Sequence, residues 1–394
     1  MDLDQLAALR TPEGSVALDA AARVAGGDPL AAAAALRSAG MPPALAAAAL
    51  TQAELRRRAV GKFGPAAAGM FLTRAGLEQA TRGPVAARRA GRLRAAGVRT
   101  LADLGCGLGA DALAAARAGI RVYGVEADPV TAAMAAANAE AAGLAELFTV
   151  ECGDATAFDV SRVDGVFCDP ARRKAGTGRR VFDPNAYSPP WDFVVGLAAR
   201  VPYTVVKVAP GIDHALIPAG AEAEWVSADG DLVEAALWCG RLAEVPRRAT
   251  LLRGAAAHAL TGSGDAEAPV GPVRRFLYDP DPAVVRAHLV AELAGALDAT
   301  LADPSIAYLY ADAPAATPFA RCLEVTDVLP FSLKRLRALL RERRVGRVEI
   351  LKRGSALEPE KLRRDLRLAG DEAASLVLTR VAGAPTALVC RPVG

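Results

Sequence analysis

Thr100-Leu-Ala-Asp-Leu-Gly-Cys-Gly-Leu-Gly-Ala-Asp111, then an alanine-rich run and Arg121-Val-Tyr-Gly-Val-Glu126, decides the fold of this chain. An apolar strand enters a glycine-rich turn, a helix opens, and a second strand ends on an acidic residue. That order is the first half of a nucleotide-type α/β unit. Backbone approaches a ligand at the turn, and a carboxylate roughly 20 residues further on meets ribose hydroxyls. The glycines stand at 105, 107 and 109, in G-x-G-x-G rather than the G-x-G-x-x-G spacing that lets a helix N-terminus cradle pyrophosphate. Asp103 precedes the turn inside the strand. A carboxylate there suits a ligand that carries an ammonium and a sulfonium in place of phosphate.

The next segments repeat the pattern. Leu147–Val150 reads as a strand ending near Gly153-Asp154, and Val163–Cys168 as a strand ending in Asp169-Pro170. In a parallel sheet with helical crossovers, ligands sit at the carboxyl ends of the strands. Asp103, Glu126, Asp154 and Asp169 fall there, one per strand. Aspartates also cap helices, so a structural role for each is the competing account. Together with Gly105, Gly107 and Gly109, and with Ala127 and Ala155 beside the second and third acids, they form the expected site for S-adenosylmethionine.

From about residue 100 to 240 the chain resembles the class I S-adenosylmethionine-dependent methyltransferases. Val125-Glu-Ala-Asp-Pro-Val-Thr-Ala-Ala-Met-Ala-Ala-Ala-Asn-Ala-Glu-Ala-Ala-Gly-Leu144 resembles the RNA cap guanine-N2 (trimethylguanosine synthase-like) group within that class. The run from Lys62-Phe63-Gly64 through Phe71-Leu-Thr-Arg-Ala-Gly-Leu-Glu-Gln-Ala-Thr81, with the C-terminal third, is similar to bacterial methyltransferases that carry a THUMP-like domain. The resemblance implies a Rossmann-like seven-stranded sheet, an N-terminal helical domain and a small α+β THUMP-like domain. It also implies a lid role for the N-terminal helices, with Thr73 and Thr81 as cofactor contacts; a helical cap that buries one sheet face is the alternative.

Composition agrees. At 394 residues the chain has room for two or three cores. Hydrophobic residues make up 52% but aromatics only 5%, so those cores are built from Ala, Leu and Val. Six dispersed cysteines without C-x-x-C pairing and three histidines argue against a zinc site and a disulfide framework. Met1-Asp-Leu-Asp is no signal n-region and no apolar run reaches membrane-spanning length, so a cytoplasmic protein without a membrane partner is expected. The expected divisions are helical 1–85, catalytic 86–245, a linker and connecting helix 246–304, and the THUMP-like part 305–394.

Charge marks the last part. Residues 333–368 hold 13 Lys/Arg against 5 Asp/Glu, a local +8 in a chain of net +3. Such segregation is the footprint of a nucleic-acid surface, with a solvated helix face as the alternative. Few aromatics interleave, so phosphate contact with structured RNA is expected rather than base stacking. At helical spacing Lys334, Arg337 and Arg341 form one stripe, with Arg335 pointing elsewhere.

The chemistry is expected at Asp169-Pro-Ala-Arg-Arg-Lys174. Amine-methylating enzymes carry Asn/Asp/Ser-Pro-Pro-aromatic at this place. Asp169 and Pro170 match, whereas Ala171 and Arg172 replace the second proline and the aromatic. Arg172 can stack by its guanidinium plane or bind phosphate, or Trp191 can supply the aromatic face unless it anchors the following helix. Cys168, inside a strand, reads as a small buried hydrophobe rather than a nucleophile. Three functions compete: N-methylation of a nucleobase in structured RNA, methylation of a small molecule or protein, and a non-catalytic RNA-binding module. The oligomeric state is not legible.

Overall fold

The N-terminal helices begin where the sequence pairs a capping side chain with proline. In this computed structural model, which describes residues 1–172 and 187–393, they are α1 (Leu3–Leu9), α2 (Pro12–Val24), α3 (Pro29–Ser38) and α4 (Pro43–Phe63). Asp2, Thr11 and Asp28 each accept a first-turn backbone N–H, and Pro12, Pro29 and Pro43 open the last three helices. Two further helices follow, α5 (Arg74–Gln79) and α6 (Gly83–Ala95).

The sheet then starts: β1 (Thr100–Leu104), α7 (Ala110–Arg117), β2 (Arg121–Glu126), α8 (Pro129–Ala141), β3 (Phe148–Cys152) and β4 (Gly165–Cys168). A small ladder pairs β5 (Ala171–Arg172) with β6 (Tyr187–Ser188). Helix α9 (Trp191–Arg200), β7 (Tyr203–Val208), β8 (Glu222–Ala228) and β9 (Asp231–Gly240) complete the region. Two units emerge, Met1–Glu222 with Ala236–Glu244, and Ala223–Ala235 with Val245–Gly394.

In the first unit the order is β7, β4, β1, β2, β3, all parallel, with the second half of β9 beside β7. The chain steps from β1 outward to β2 and β3, then returns to lay β4 on the other side of β1. That reversal opens the crevice where open α/β sheets bind ligands. Four of the five β1 residues are buried, as a strand covered on both faces requires. The four strands read from the sequence in this unit are present, β2 with the bounds read and β3 and β4 shifted by one or two residues.

The N-terminal helices belong to the same unit and share its core, where Leu6, Leu9, Leu36 and Leu55 join Leu108, Leu113 and Phe148. Two side-chain amides fasten the extended stretch between α4 and α5. Gln52 exchanges two hydrogen bonds with the Leu72 backbone, 2.7 and 2.8 Å. Asn138 on α8 accepts from the Phe71 N–H at 2.6 Å and donates to the carbonyls of Phe71 and Leu108 at 3.1 and 3.0 Å. Both are wholly buried, so each replaces a missing strand neighbour. Asn138→Ala leaves three buried backbone groups without partners and is expected to destabilise the unit by about 2–3 kcal/mol. Urea unfolding measures it, and an unchanged midpoint would show the amide to be dispensable.

In the second unit, β8 turns into β9 through Asp229 and Gly230, both with positive φ (52° and 89°), as the two-residue hairpin turn requires. Then come β10 (Arg247–Arg253), β11 (Ala256–Gly262), β12 (Phe276–Pro280), α10 (Pro282–Arg286), α11 (Val290–Leu297), β13 (Thr300–Leu301) and β14 (Leu309–Ala311). Segment 246–304, expected as linker and helix, therefore carries strands. Arginine-rich β10 and alanine-rich β11 lack a strand-like alternation, and they form because β10 pairs with β8 and β11 with β10. The rest is β15 (Ala320–Pro330), α12 (Leu333–Glu342), β16 (Val345–Lys352), α13 (Pro359–Leu366), β17 (Glu372–Val381) and β18 (Ala384–Pro392).

Strands β12 to β18 form a sheet of their own in the order β13-β14-β12-β15-β18-β17-β16. Alternate residues face opposite ways: Leu376, Leu378, Ala387 and Val389 pack with Leu336, Leu340, Leu362 and Leu366 of α12 and α13. Val377, Leu388 and Cys390 pack with Leu277, Tyr308 and Leu323. Both helices thus cover one face and turn their charged sides outward. Among the described residues no helix is long and apolar enough to cross a membrane.

Candidate functional site

Glycine at 105, 107 and 109 is required by backbone: their φ angles are 87°, 55° and 82°. The three differ in what surrounds them. A Cβ at Gly109 would lie 2.7 Å from the Phe148 ring, so that position is also packed. A Cβ at Gly107 would meet no described atom within 4 Å, which leaves open space beside the turn. The N–H groups of Gly105 and Cys106 both bind the Val125 carbonyl, at 2.9 and 3.1 Å, and fix the turn against the end of β2.

Glu126 ends β2 and uses both oxygens. Oε2 accepts from the Gly107 N–H and Oε1 from the Asp128 N–H, each at 3.0 Å. The half-buried carboxylate is held beside the open space with lone pairs left for a diol. Asp154 is exposed; its Oδ1 accepts from the Thr156 N–H and hydroxyl at 2.8 Å, and those bonds hold its carboxyl below the usual range. Cys152, not foreseen, is the exposed residue paired in register with Glu126.

Asp103 is different. It is 1% exposed, and neither carboxylate oxygen has a hydrogen-bond partner among the described residues. Burial first, then the nearby carboxylates of Asp111 and Asp169, push its carboxyl well above the usual range, against the guanidinium of Arg89. Arg89 is itself ion-paired with Asp111 and lies over the Phe167 ring.

On the other side of the crevice, Asp169 Oδ2 accepts from Lys207 Nζ at 2.7 Å. The pair follows from register: Cys168 lies opposite Val206, so the next residues along β4 and β7 stand side by side. Sequence reasoning missed Lys207, because nothing local marks one lysine in an apolar strand. Lys62 is nearby, its ammonium bonded to the carbonyls of Leu77, Glu78 and Ala80 at the end of α5. Burial, then the charges of Lys207 and Arg82, lower its pKa.

Other expected contacts separate. Thr73 caps α5 through the Gly76 N–H at 3.0 Å, whereas Thr81 is buried with its hydroxyl unpartnered among the described residues. The Arg172 side chain, with Arg173 and Lys174, lies outside the described residues. Trp191 is 7% exposed at the start of α9, a burial that suits the helix-anchor alternative better than a stacking face. Cys168 is fully buried and burial drives its thiol far up, so it offers no thiolate.

The basic stripe is also corrected. Arg337 is half-buried and donates to the Asp365 carbonyl, tying α12 to α13. Lys334, Arg335 and Arg341 on α12, and Lys361 and Arg364 on α13, are exposed, and their side chains make no hydrogen bond or ion pair among the described residues. Arg335 shares the outward side because the buried line runs through Leu336 and Leu340. Arg343, Arg344 and Arg353, by contrast, pair with Asp327, Asp371 and Asp279.

The crevice residues fit S-adenosylmethionine. Asp103 offers a bare buried carboxylate for a cation, Gly107 leaves room for a ligand, and Glu126 faces that room as an acceptor. Glu126→Ala is expected to weaken S-adenosylmethionine and its demethylated product equally, by about 1–3 kcal/mol in calorimetry. Loss of affinity for only one of the two would remove Glu126 from their shared part.

Comparison with known proteins agrees. Residues 101–173 match a methyltransferase domain, 320–392 a THUMP domain-like family, and 2–59 a domain of unknown function. Uncharacterized S-adenosylmethionine-dependent methyltransferases of two Mycobacterium tuberculosis strains are 37% identical over 358 residues, covering 86% of this chain and 95% of theirs. A solved structure from Porphyromonas gingivalis W83, described as a candidate methyltransferase, superimposes with a TM-score of 0.76 at 22% identity, covering 100% of both chains. That likeness speaks to the fold.

Proposed function

We propose, from the premise that the chain belongs to the S-adenosylmethionine-dependent methyltransferases, that it methylates a nitrogen of a nucleobase in structured RNA. The observation that carries the RNA reading is the outward side of α12 and α13, where five cations unpaired among the described residues lie within the THUMP-like segment. A surface of this kind recognises phosphate by charge and is indifferent to base identity. The kinship with cap guanine-N2 enzymes, read from Val125–Leu144, is part of the same proposal.

When bound, the sulfonium supplies an already activated methyl group. The protein's task is to align the acceptor and exclude water. Lys207 holds Asp169 by one oxygen, which leaves Oδ1 to accept an N–H from the acceptor amine. The Pro170 carbonyl provides a second acceptor beside it. Two such acceptors orient the nitrogen lone pair and spread the positive charge that develops on it. A neutral nitrogen needs no strong general base, in keeping with three histidines in the whole chain.

Methylation of a small molecule or protein is the second reading. It is favoured by Ala171 and Arg172 standing where the amine-methylating motif has its second proline and aromatic. Mass spectrometry of RNA nucleosides from a strain lacking this chain tests both. One methylated nucleoside should disappear and return with the wild-type chain. An unchanged nucleoside profile would shift the reading to a small-molecule or protein acceptor.

A further inference from the structure

Four carboxylates sit at or next to the carboxyl edge of the sheet, and three have partners. Glu126 holds two backbone N–H groups, Asp154 holds Thr156, and Asp169 holds Lys207. Asp103 is the most buried of the four and has no partner on either oxygen among the described residues.

Its surroundings are mostly anionic. Asp111 faces it from α7, Asp169 from beyond β4 and Glu126 from β2. Among the described residues the cation acting on it is Arg89 on α6, which is paired with Asp111. The thiols of Cys106 and Cys168 complete the set, both driven up by burial, with Asp103 adding to the effect. A bare ionised carboxylate there would lose its water without compensation, and proteins escape that cost by keeping the proton.

We propose that Asp103 is a neutral carboxylic acid in the ligand-free protein and releases its proton to solvent as it takes the α-ammonium of S-adenosylmethionine or its demethylated product. The O–H bond breaks, its electron pair stays on the carboxylate, and the proton leaves to buffer. An ammonium N–H then donates to the anion. The ligand supplies a hydrogen-bonded cation that Asp103 lacks among the described residues. Binding therefore expels a proton, and affinity rises with pH, by up to about tenfold per unit, until the free-state acid is ionised. The inference rests on the cofactor assignment alone, so failure of the RNA reading leaves its test unaffected.

Calorimetric titration of the full chain with S-adenosylhomocysteine, near neutral pH in phosphate, HEPES and Tris, reads the proton directly. The observed heat should vary with buffer ionisation enthalpy with a slope of about one proton released. 5′-Methylthioadenosine, which lacks the amino-acid part, should release none and needs no variant. Asp103→Asn should bind S-adenosylhomocysteine more weakly and without proton release. A heat identical in all three buffers overturns the proposal, as does equal release with 5′-methylthioadenosine.

Discussion

Asp169→Ala is expected to lower methyl transfer to RNA by about 10²- to 10³-fold, the range for removing one aimed polar group from a developing charge. Affinity for S-adenosylhomocysteine should stay close to wild type, because the proposed partner of Asp169 is the acceptor and not the cofactor. The substitution also removes the carboxylate that Lys207 Nζ meets at 2.7 Å. The loss then combines the missing acceptor atom with the missing negative charge. Asp169→Asn separates them: it keeps an acceptor of the same shape and removes only the charge. Single-turnover transfer of labelled methyl from S-adenosylmethionine to RNA from a deletion strain provides the rate. Wild-type turnover in Asp169→Ala would take the residue out of the mechanism.

The second large effect is electrostatic. Lys334, Arg335 and Arg341 share the outward side of α12 and are unpaired among the described residues. Each phosphate contact on single strands contributes about −0.7 to the slope of log K against log[salt]. Reversing all three to Glu should flatten that slope by about 2 units, which near 0.1 M salt is roughly a hundredfold in affinity. Cofactor binding should not change. Arg337→Met is the control: its guanidinium serves the Asp365 carbonyl, so it should lower thermal stability and leave the salt slope intact. Filter binding across a salt series distinguishes the two. A triple variant with wild-type affinity and slope would make the basic run a solvated face.

The turn at 105–109 and the acid at the end of β2 were legible because both are local. Positive φ demands glycine, and a strand ending on Glu126 brings its carboxylate back to the Gly107 N–H nineteen residues away. The strands of the first unit were legible from apolar runs of the right length. Strands β10 and β11 were not, because their residues carry weak strand preference; β10 forms against β8 and β11 against β10.

By itself the sequence determined the strand–turn–helix core, its edge of carboxylates, and the excess of positive charge near the C-terminus. Tertiary structure decided what each charged group does. Register set Lys207 against Asp169, and the contact between α12 and α13 engaged Arg337 while leaving the Arg335 side chain unpaired among the described residues. The physical reason is one of range. Backbone geometry and periodicity are written into neighbouring residues, whereas the partner of a charge is set by strand register and helix packing between residues far apart in the chain.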